Sequence, residues 1–272
     1  MSTIFSITPD KLARLIGTPK CPALIDVRLA EEFDSDPYII PGSVRRSHDD
    51  LAAWGGRYTG RAAVVICRNG LGVSPGVSAW LRSGGAAAEV LEGGSEAWRA
   101  AKLPRVPAEK VPQRDPDGRT VWVTRERPKI DRIACPWLIR RFVDPSAAFL
   151  FVGSSQVEAV AETFGATPFD IERAYWSHRG DKCTFDVMIE ELGLASDALK
   201  RLALIVRAAD TARLDLAPES YGLLAASLGL SRMYGDDHEQ LEAGMTLYDA
   251  FYRWRRDATG ETHNWPTNKP RP

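Results

Sequence analysis

Residues 62–75 read AAVVICRNGLGVSP and place a cysteine between a buried strand and the start of a helix. The run 62–66 is short, continuous and rich in β-branched residues, which is typical of a central strand in a parallel sheet. Cys67 follows this strand directly, and a short loop with two glycines then leads to a helix that begins at Ser74. The stretch therefore predicts a strand–loop–helix unit with a thiol at the strand end.

Further apolar runs of strand length lie on both sides of this unit. Residues 23–27 read ALIDV and residues 88–91 read AEVL, and helical segments separate them from the central strand. The first helix begins with Thr8 as its N-cap and Pro9 at its first position. Strands that alternate with helices at this spacing predict a parallel α/β sheet for the first hundred residues.

The loop after Cys67 favours anion chemistry. Gly70 and Gly72 allow backbone N–H groups to point inward, and the following helix adds the positive end of its dipole. A cysteine in such a setting has a stabilised thiolate and acts as a nucleophile. The alternative is a small apolar residue that ends a buried strand, which is the interpretation we give Cys21.

Five segments in this part of the chain resemble the rhodanese-like family. They are LIDVR at 24–28, EEF at 31–33, IPGSV at 40–44, CRNGLG at 67–72 and LEGGSEAW at 91–98. The resemblance implies a sulfane sulfur carried as a persulfide on Cys67. It also implies binding by the backbone N–H groups of Arg68, Asn69, Gly70, Leu71, Gly72 and Val73. Many active rhodaneses have Arg or Ser late in this loop, where this chain has Gly72 and Val73, and Arg68 is the candidate for the missing charge.

The chain then changes character at a proline-rich segment. Residues 103–118 read LPRVPAEKVPQRDPDG, which predicts an extended, fairly stiff connector. Beyond it we expect two strands, at 120–124 and 148–152, and a helix over 129–142 that Pro136 breaks or shifts. The rest reads as helices, so the second domain is predicted to be α-rich (α+β).

Polar residues of the second domain include a possible metal site. His178, Asp181 and Cys183 lie within six positions, and Asp210 stands near the C-terminal end of a long helix, where the dipole disfavours a carboxylate. Imidazole, carboxylate and thiolate together suit Zn²⁺ or Fe²⁺. The alternative is an exposed loop with a buried cysteine, and an Asp210 that pairs with a neighbouring arginine.

A group of basic residues in the second domain could bind an oxyanion. Asp131 and Cys135 share one helix face, and Arg132, Arg140 and Arg141 lie beside them. Arg132 is the predicted anion contact, and a solvated basic face is the alternative.

Several segments of this half are similar to the chromate-resistance (ChrB-type) C-terminal domain. They are ERPKIDRIACPWLIRRF at 126–142, TPFD at 167–170, HRGDKC at 178–183, AAD at 208–210 and GLSRMY at 229–234. The resemblance implies a role connected with chromate resistance. Some members with a different N-terminal region are described as chromate-responsive regulators, and a rhodanese-like region occupies that place here.

Composition excludes several classes of function. Lys plus Arg number 35 against 36 for Asp plus Glu, a net charge of −1, so no charge field supports nucleic-acid binding. No apolar stretch approaches the length of a membrane span, and the N-terminus does not read as a signal peptide. Four dispersed cysteines fit reduced thiols. We therefore expect a cytoplasmic protein without a membrane partner.

These observations give two hypotheses for a protein with domains at 1–105 and 120–272 and a linker at 106–119. The first is a sulfurtransferase whose Cys67 persulfide takes sulfur from a small donor and passes it to a thiol or oxyanion acceptor, coupled to the metal site of the second domain. The second is a non-catalytic oxyanion or redox sensor in the chromate response. The rhodanese-like domain needs no cofactor, and the sequence leaves the oligomeric state open.

Overall fold

The computed structural model describes residues 5–261. The ends of the two predicted domains, residues 1–4 and 262–272, lie outside the described residues. No helix within 5–261 combines the length and the apolar character needed to cross a bilayer.

The first domain is built on a five-stranded, wholly parallel sheet with strand order β1-β6-β5-β2-β4. Its elements are β1 (Ser6–Ile7), α1 (Pro9–Leu15), β2 (Ala23–Asp26), α2 (Ala30–Ser35), β3 (Tyr38–Ile39), β4 (Ser43–Arg45), α3 (Leu51–Trp54), β5 (Ala62–Ile66), α4 (Val73–Ser83), β6 (Ala87–Leu91) and α5 (Gly94–Ala100). The predicted parallel α/β sheet is confirmed, and β5 is its central strand. Four of the five β5 residues are buried, because helices cover both faces of the sheet.

The second domain combines helices with a small parallel sheet of order β10-β8-β9. After β7 (Val106–Pro107), its elements are β8 (Val121–Arg125), α6 (Asp131–Phe142), β9 (Ala148–Val152), α7 (Val157–Phe164), β10 (Thr167–Pro168), α8 (Thr184–Glu191), α9 (Asp197–Asp210), α10 (Ser220–Met233) and α11 (Asp237–Arg253). The predicted α-rich character and the two longer strands are confirmed. The short β10 was not anticipated.

Pro136 does not break α6, so that expectation is wrong. The helix runs without interruption from Asp131 to Phe142 with Pro136 inside it. Proline removes one helical hydrogen bond, but Ile133, Trp137 and Leu138 around it are buried, and their packing holds the helix in place.

The connector is extended apart from a 3₁₀ turn at Ala108–Lys110, and it is packed against the protein at several points. Val106 is fully buried, and β7 pairs with β3 in an antiparallel ladder. Farther along, Arg114 forms an ion pair with the buried Asp144. A single buried cluster contains residues of both domains, including Trp98 and Phe142. The two domains therefore share one core.

A buried ion pair fixes the end of β2. The Arg28 guanidinium donates to both carboxylate oxygens of Asp26, with a shortest distance of 2.6 Å, and also to the carbonyls of Asp36 and Tyr38. Both side chains are only 2% exposed. The pair joins the end of β2 to the segment that enters β3.

Replacing Arg28 tests this contribution to stability. We expect Arg28→Ala to lower the free energy of unfolding by about 3–5 kcal/mol, because it leaves the Asp26 carboxylate buried without its cation. The matched control is Arg99→Ala, which removes a 3.7 Å ion pair with Asp36 that is half exposed and should cost under about 1 kcal/mol. Denaturant unfolding measures both, and equal losses would contradict this assignment.

Candidate functional sites

Cys67 lies where β5 ends and its chain turns toward α4. The residue is only 3% exposed. Its Sγ lies 2.9 Å from Ser74 Oγ and 3.2 Å from the carbonyl oxygen of Leu71. The sulfur thus faces a hydroxyl in the first turn of an 11-residue helix, at the positive end of its dipole.

The loop around the sulfur does not present only N–H groups. The Leu71 N–H donates to Asn69 Oδ1 at 3.0 Å, and the Leu71 carbonyl accepts from the thiol. Gly72 follows with φ +71°. The sulfur therefore faces a carbonyl oxygen as well as a hydroxyl.

The first turn of α5 holds this loop in place. The N–H groups of Ser95 and Glu96 donate to the carbonyls of Cys67 and Arg68, both at 2.9 Å. The Arg68 guanidinium donates to Glu96 Oε1 at 2.7 Å. The predicted anion contact Arg68 is therefore paired with a carboxylate on the protein surface, and its charge is largely compensated.

A second site lies in the other domain, where four separate segments of the chain bring together one histidine and three aspartates. The Nε2 of His178 lies 3.5 Å from Asp131 Oδ2, 3.4 Å from Asp170 Oδ1 and 3.3 Å from Asp210 Oδ2. Asp131 begins α6, Asp170 follows β10, His178 precedes α8 and Asp210 ends α9. We call these four residues the Asp–His centre.

Asp131 is the most constrained member of the centre. It is fully buried, and its Oδ2 accepts from the Thr184 N–H at the start of α8, at 2.6 Å. Its Oδ1 is buried and has no hydrogen-bond partner within the described part of the chain. Burial raises the pKa of Asp131 to about 7. A buried carboxylate oxygen without a partner is costly, so it points to a missing ligand.

The other members also have unusual settings. Hydrogen bonds to the carboxylates of Asp131, Asp170 and Asp210 raise the pKa of His178 to about 12. Thr184 Oγ1 donates to Asp170 Oδ1 at 2.9 Å. His178 is 41% exposed, and a cleft of about 380 Å³, lined in part by His178 and Asp170, opens beside it. The centre is thus accessible from solvent.

Two residues in or next to the Asp–His centre have a strained backbone conformation. Ile130, directly before Asp131, has φ +41°, and Asp170 itself has φ +51°. A β-branched residue at positive φ is a true outlier, and such strain concentrates at functional sites. The Ile130 conformation is held by the Tyr248 hydroxyl, which donates to the Ile130 carbonyl at 2.9 Å.

The structure brings together only part of the predicted metal site. Of the four predicted ligands, His178 and Asp210 lie close together, with 3.3 Å between Nε2 and Oδ2. The three residues whose ligand atoms all lie within 4.8 Å of one another are Asp131, Asp170 and His178. Asp181 is exposed on the loop outside that group. Cys183 is fully buried, and its thiol donates to Asp186 Oδ2 at 3.3 Å. Burial raises the pKa of Cys183, which keeps it a thiol.

Asp131 and Asp170 are candidate ligands that the sequence pattern does not indicate. Asp131 was noted only for sharing a helix face with Cys135, and that cysteine is buried with a pKa raised by burial. Arg132, the predicted anion contact, donates to the carbonyls of Arg125 and Glu126. Its Nε lies 3.5 Å from Asp170 Oδ2, so it helps to position that carboxylate.

Comparison with family models supports both resemblances. Residues 8–101 match the rhodanese-like domain, and residues 122–255 match the ChrB C-terminal domain. The chain joins a rhodanese-like domain to a ChrB C-terminal domain. The four members of the Asp–His centre all lie in the ChrB domain, and Cys67 lies in the rhodanese-like domain.

Known proteins resemble parts of this chain. Protein ChrB of Cupriavidus metallidurans is 36% identical over 150 residues, which is 53% of this chain and 44% of that protein. The chain therefore spans less than half the length of that relative. A rhodanese-like domain protein from Staphylococcus aureus is 27% identical over 35% of this chain and 91% of its own, with a TM-score of 0.32. A thiosulfate sulfurtransferase from Pseudomonas aeruginosa is 25% identical over 39% of this chain and 20% of its own, with a TM-score of 0.33.

Proposed function

We propose that the rhodanese-like domain is a sulfurtransferase that carries sulfur as a persulfide on Cys67. The observation that supports this most directly is the position of Sγ, 2.9 Å from the Ser74 hydroxyl at the start of α4. Hydroxyl donation and the helix dipole both stabilise a thiolate, which is the nucleophilic form of cysteine. The deprotonated sulfur then attacks a small donor.

The chemistry balances without a cofactor. The Cys67 thiol first loses its proton to solvent, and the thiolate attacks the sulfane sulfur of the donor. A new S–S bond forms to Cys67 while the donor's own bond to that sulfur breaks, and the donor leaves with the electron pair. A thiolate acceptor then attacks the outer sulfur and regenerates the Cys67 thiolate.

The loop must change for this step. The Leu71 carbonyl faces the sulfur in the thiol form, and it has to turn away from a thiolate or persulfide anion. Gly72 has positive φ, and a glycine can adopt the different φ that a flip of the Leu71–Gly72 peptide plane requires. Such a rotation replaces the carbonyl with the Gly72 N–H, which donates to the anion.

Substitution of Cys67 tests the persulfide. Incubation with thiosulfate should add one sulfur atom to the wild-type chain and to Cys21→Ser, but not to Cys67→Ser, as measured by intact mass. Cys21 is the matched control because burial raises its pKa to about 12, which leaves it without thiolate character. A persulfide that survives in Cys67→Ser would overturn the proposal.

Ser74→Ala should slow persulfide formation about tenfold or more, because a hydrogen bond to a charged group contributes about 1.5–3 kcal/mol. Stopped-flow or quenched mass measurement gives this rate. An unchanged rate would show that the hydroxyl does not act on the thiolate.

Two contacts favour a second candidate, a thiol sensor without turnover. Arg68 is paired with Glu96, and the Leu71 carbonyl faces the sulfur, so neither supports a bound donor anion in the thiol form. Turnover with thiosulfate and cyanide separates the two functions. Repeated turnovers support the transferase, whereas a single modification per chain supports an oxyanion or redox sensor.

We also propose that the ChrB domain binds a divalent cation at the Asp–His centre. Three carboxylates lie within 3.5 Å of His178 Nε2, and the Oδ1 atom of one of them, Asp131, is buried without a hydrogen-bond partner in the described part of the chain. This oxygen-rich set fits Fe²⁺ or Zn²⁺, and a cation there offsets the charge of the aspartates. Such an ion would supply an electrophilic centre beside the solvent cleft, while Thr184 and Arg132 hold Asp131 and Asp170 in place.

Metal content tests this second proposal on the full chain, purified without a metal-affinity column. We expect near-stoichiometric Fe or Zn in the wild-type protein and in Asp181→Asn, which alters the exposed loop outside the centre. Asp131→Asn and His178→Ala should lose the metal. Metal retained in both of these variants would contradict the assigned ligands.

A stability measurement keeps ligand loss separate from misfolding. In chelator-treated protein, Asp131→Asn should melt at or above the wild-type temperature, because three carboxylates then face the single charge of His178 and the substitution removes the most buried of them. Added metal should raise the melting temperature of the wild type only. Destabilisation of the metal-free Asp131→Asn protein would show that Asp131 stabilises the fold by itself.

A further inference from the structure

A cleft of about 400 Å³ opens between the two domains. Its wall combines the segment before β2, the turn before β5, the connector near Arg119, and the end of α6 at Arg140 and Arg141. Arg61 directly precedes β5 and Cys67 directly follows it. The five residues of a strand span about 17 Å, so Arg61 lies at the opposite end of β5 from the thiol. Arg46 follows β4, two strands away from β5 at the edge of the sheet.

The inter-domain cleft has a strong excess of positive charge. One aspartate, Asp117, lines it together with the arginines Arg46, Arg57, Arg61, Arg119, Arg140 and Arg141. Three of these arginines form ion pairs with carboxylates, namely Arg119–Asp117, Arg140–Glu242 and Arg141–Asp249.

The other three arginines have no such compensation. Within residues 5–261, Arg46, Arg57 and Arg61 form no ion pair with a carboxylate, and the Arg61 guanidinium lies 5.9 Å from the centre of the Tyr58 ring. Arg57 and Arg61 are exposed and Arg46 is partly buried, so water screens part of this charge, but all three guanidinium groups are free of carboxylate partners in this range and can donate to an anion in the cleft.

Arg46 provides the independent observation. Its Nε is buried and lacks an acceptor within the described residues. The guanidinium lies against the connector, since a Cβ at Gly118 would be 3.2 Å from Arg46 Nη2, and the φ of +82° favours glycine at that position. The guanidinium thus lies at the cleft with one buried donor unsatisfied, which is unfavourable.

We propose that the inter-domain cleft binds a small molecule through a phosphate- or sulfate-type oxyanion. Guanidinium groups bind such anions with paired, charge-assisted hydrogen bonds. The cleft is within the size range of small-molecule sites, and Pro22, Leu24 and Tyr58 give it an apolar wall. A phosphorylated organic molecule fits this combination, with its oxyanion at Arg46 and its body against the wall.

The location gives this ligand a structural role. Arg46 and Arg61 belong to the rhodanese-like domain, Arg119 to the connector, and Arg140 to the ChrB domain. A ligand that contacts all three parts binds only when they are in their folded arrangement. It therefore stabilises that arrangement by mass action.

Calorimetric titration of the full chain at fixed ionic strength tests the inference, with sulfate, inorganic phosphate and ADP as probes. We expect saturable binding of at least one probe, weakened about tenfold or more by Arg46→Gln and by Arg61→Ala. The control is Arg232→Ala, an exposed arginine on α10 outside the cleft, which should bind as the wild type does. Melting temperatures in chloride show whether each variant folds.

The probes distinguish the source of the oxyanion. Tighter binding of ADP than of phosphate supports an organic phosphate, and equal binding supports recognition of the oxyanion group alone. Absence of saturable binding by all three probes overturns the inference. Binding that is unchanged in folded Arg46→Gln and Arg61→Ala protein also overturns it. None of these outcomes depends on Cys67 or on the Asp–His centre.

Discussion

A buried carboxylate, Asp131, imposes the strongest constraint in this structure. Its Oδ2 is bound by the first N–H of α8, and its Oδ1 has no partner within the described residues. An ionised group cannot stay in such a place unless another charge compensates it. His178 lies within 3.5 Å of Asp131 and supplies one such charge. The divalent cation that we propose for the Asp–His centre would supply a larger one.

The shared core determines how the two centres relate. Trp98 of the rhodanese-like domain and Phe142 of the ChrB domain belong to one buried cluster, and the Gly42 N–H donates to the Phe142 carbonyl at 2.6 Å. The connector is pinned by a strand pair and an ion pair. The domains therefore do not behave as independent modules on a flexible tether. Cys67 and the Asp–His centre have fixed positions relative to each other.

The sequence was most informative where local signals suffice. The β-branched run before Cys67 indicates the central strand, and Thr8 indicates the start of α1, where its hydroxyl accepts from the Lys11 N–H. His178 and Asp210 were recognised as candidate ligands. Asp131 and Asp170 were not, because they come from distant segments that only the tertiary fold brings together. Asp181 and Cys183 were chosen for their closeness along the chain, but the loop turns Asp181 to solvent and buries Cys183 beside Asp186.

Anomalous diffraction from crystals of the full chain, collected at the Fe and Zn edges, tests the central claim most directly. We expect one anomalous peak, with Asp131 Oδ1 and His178 Nε2 about 2.0–2.2 Å from the metal. In that state His178 is a neutral ligand and no longer donates to the aspartates. The absence of a peak in metal-supplemented crystals, with His178 still at hydrogen-bond distance from all three carboxylates, would contradict metal binding at the Asp–His centre. The centre would then be a structural ion-pair network.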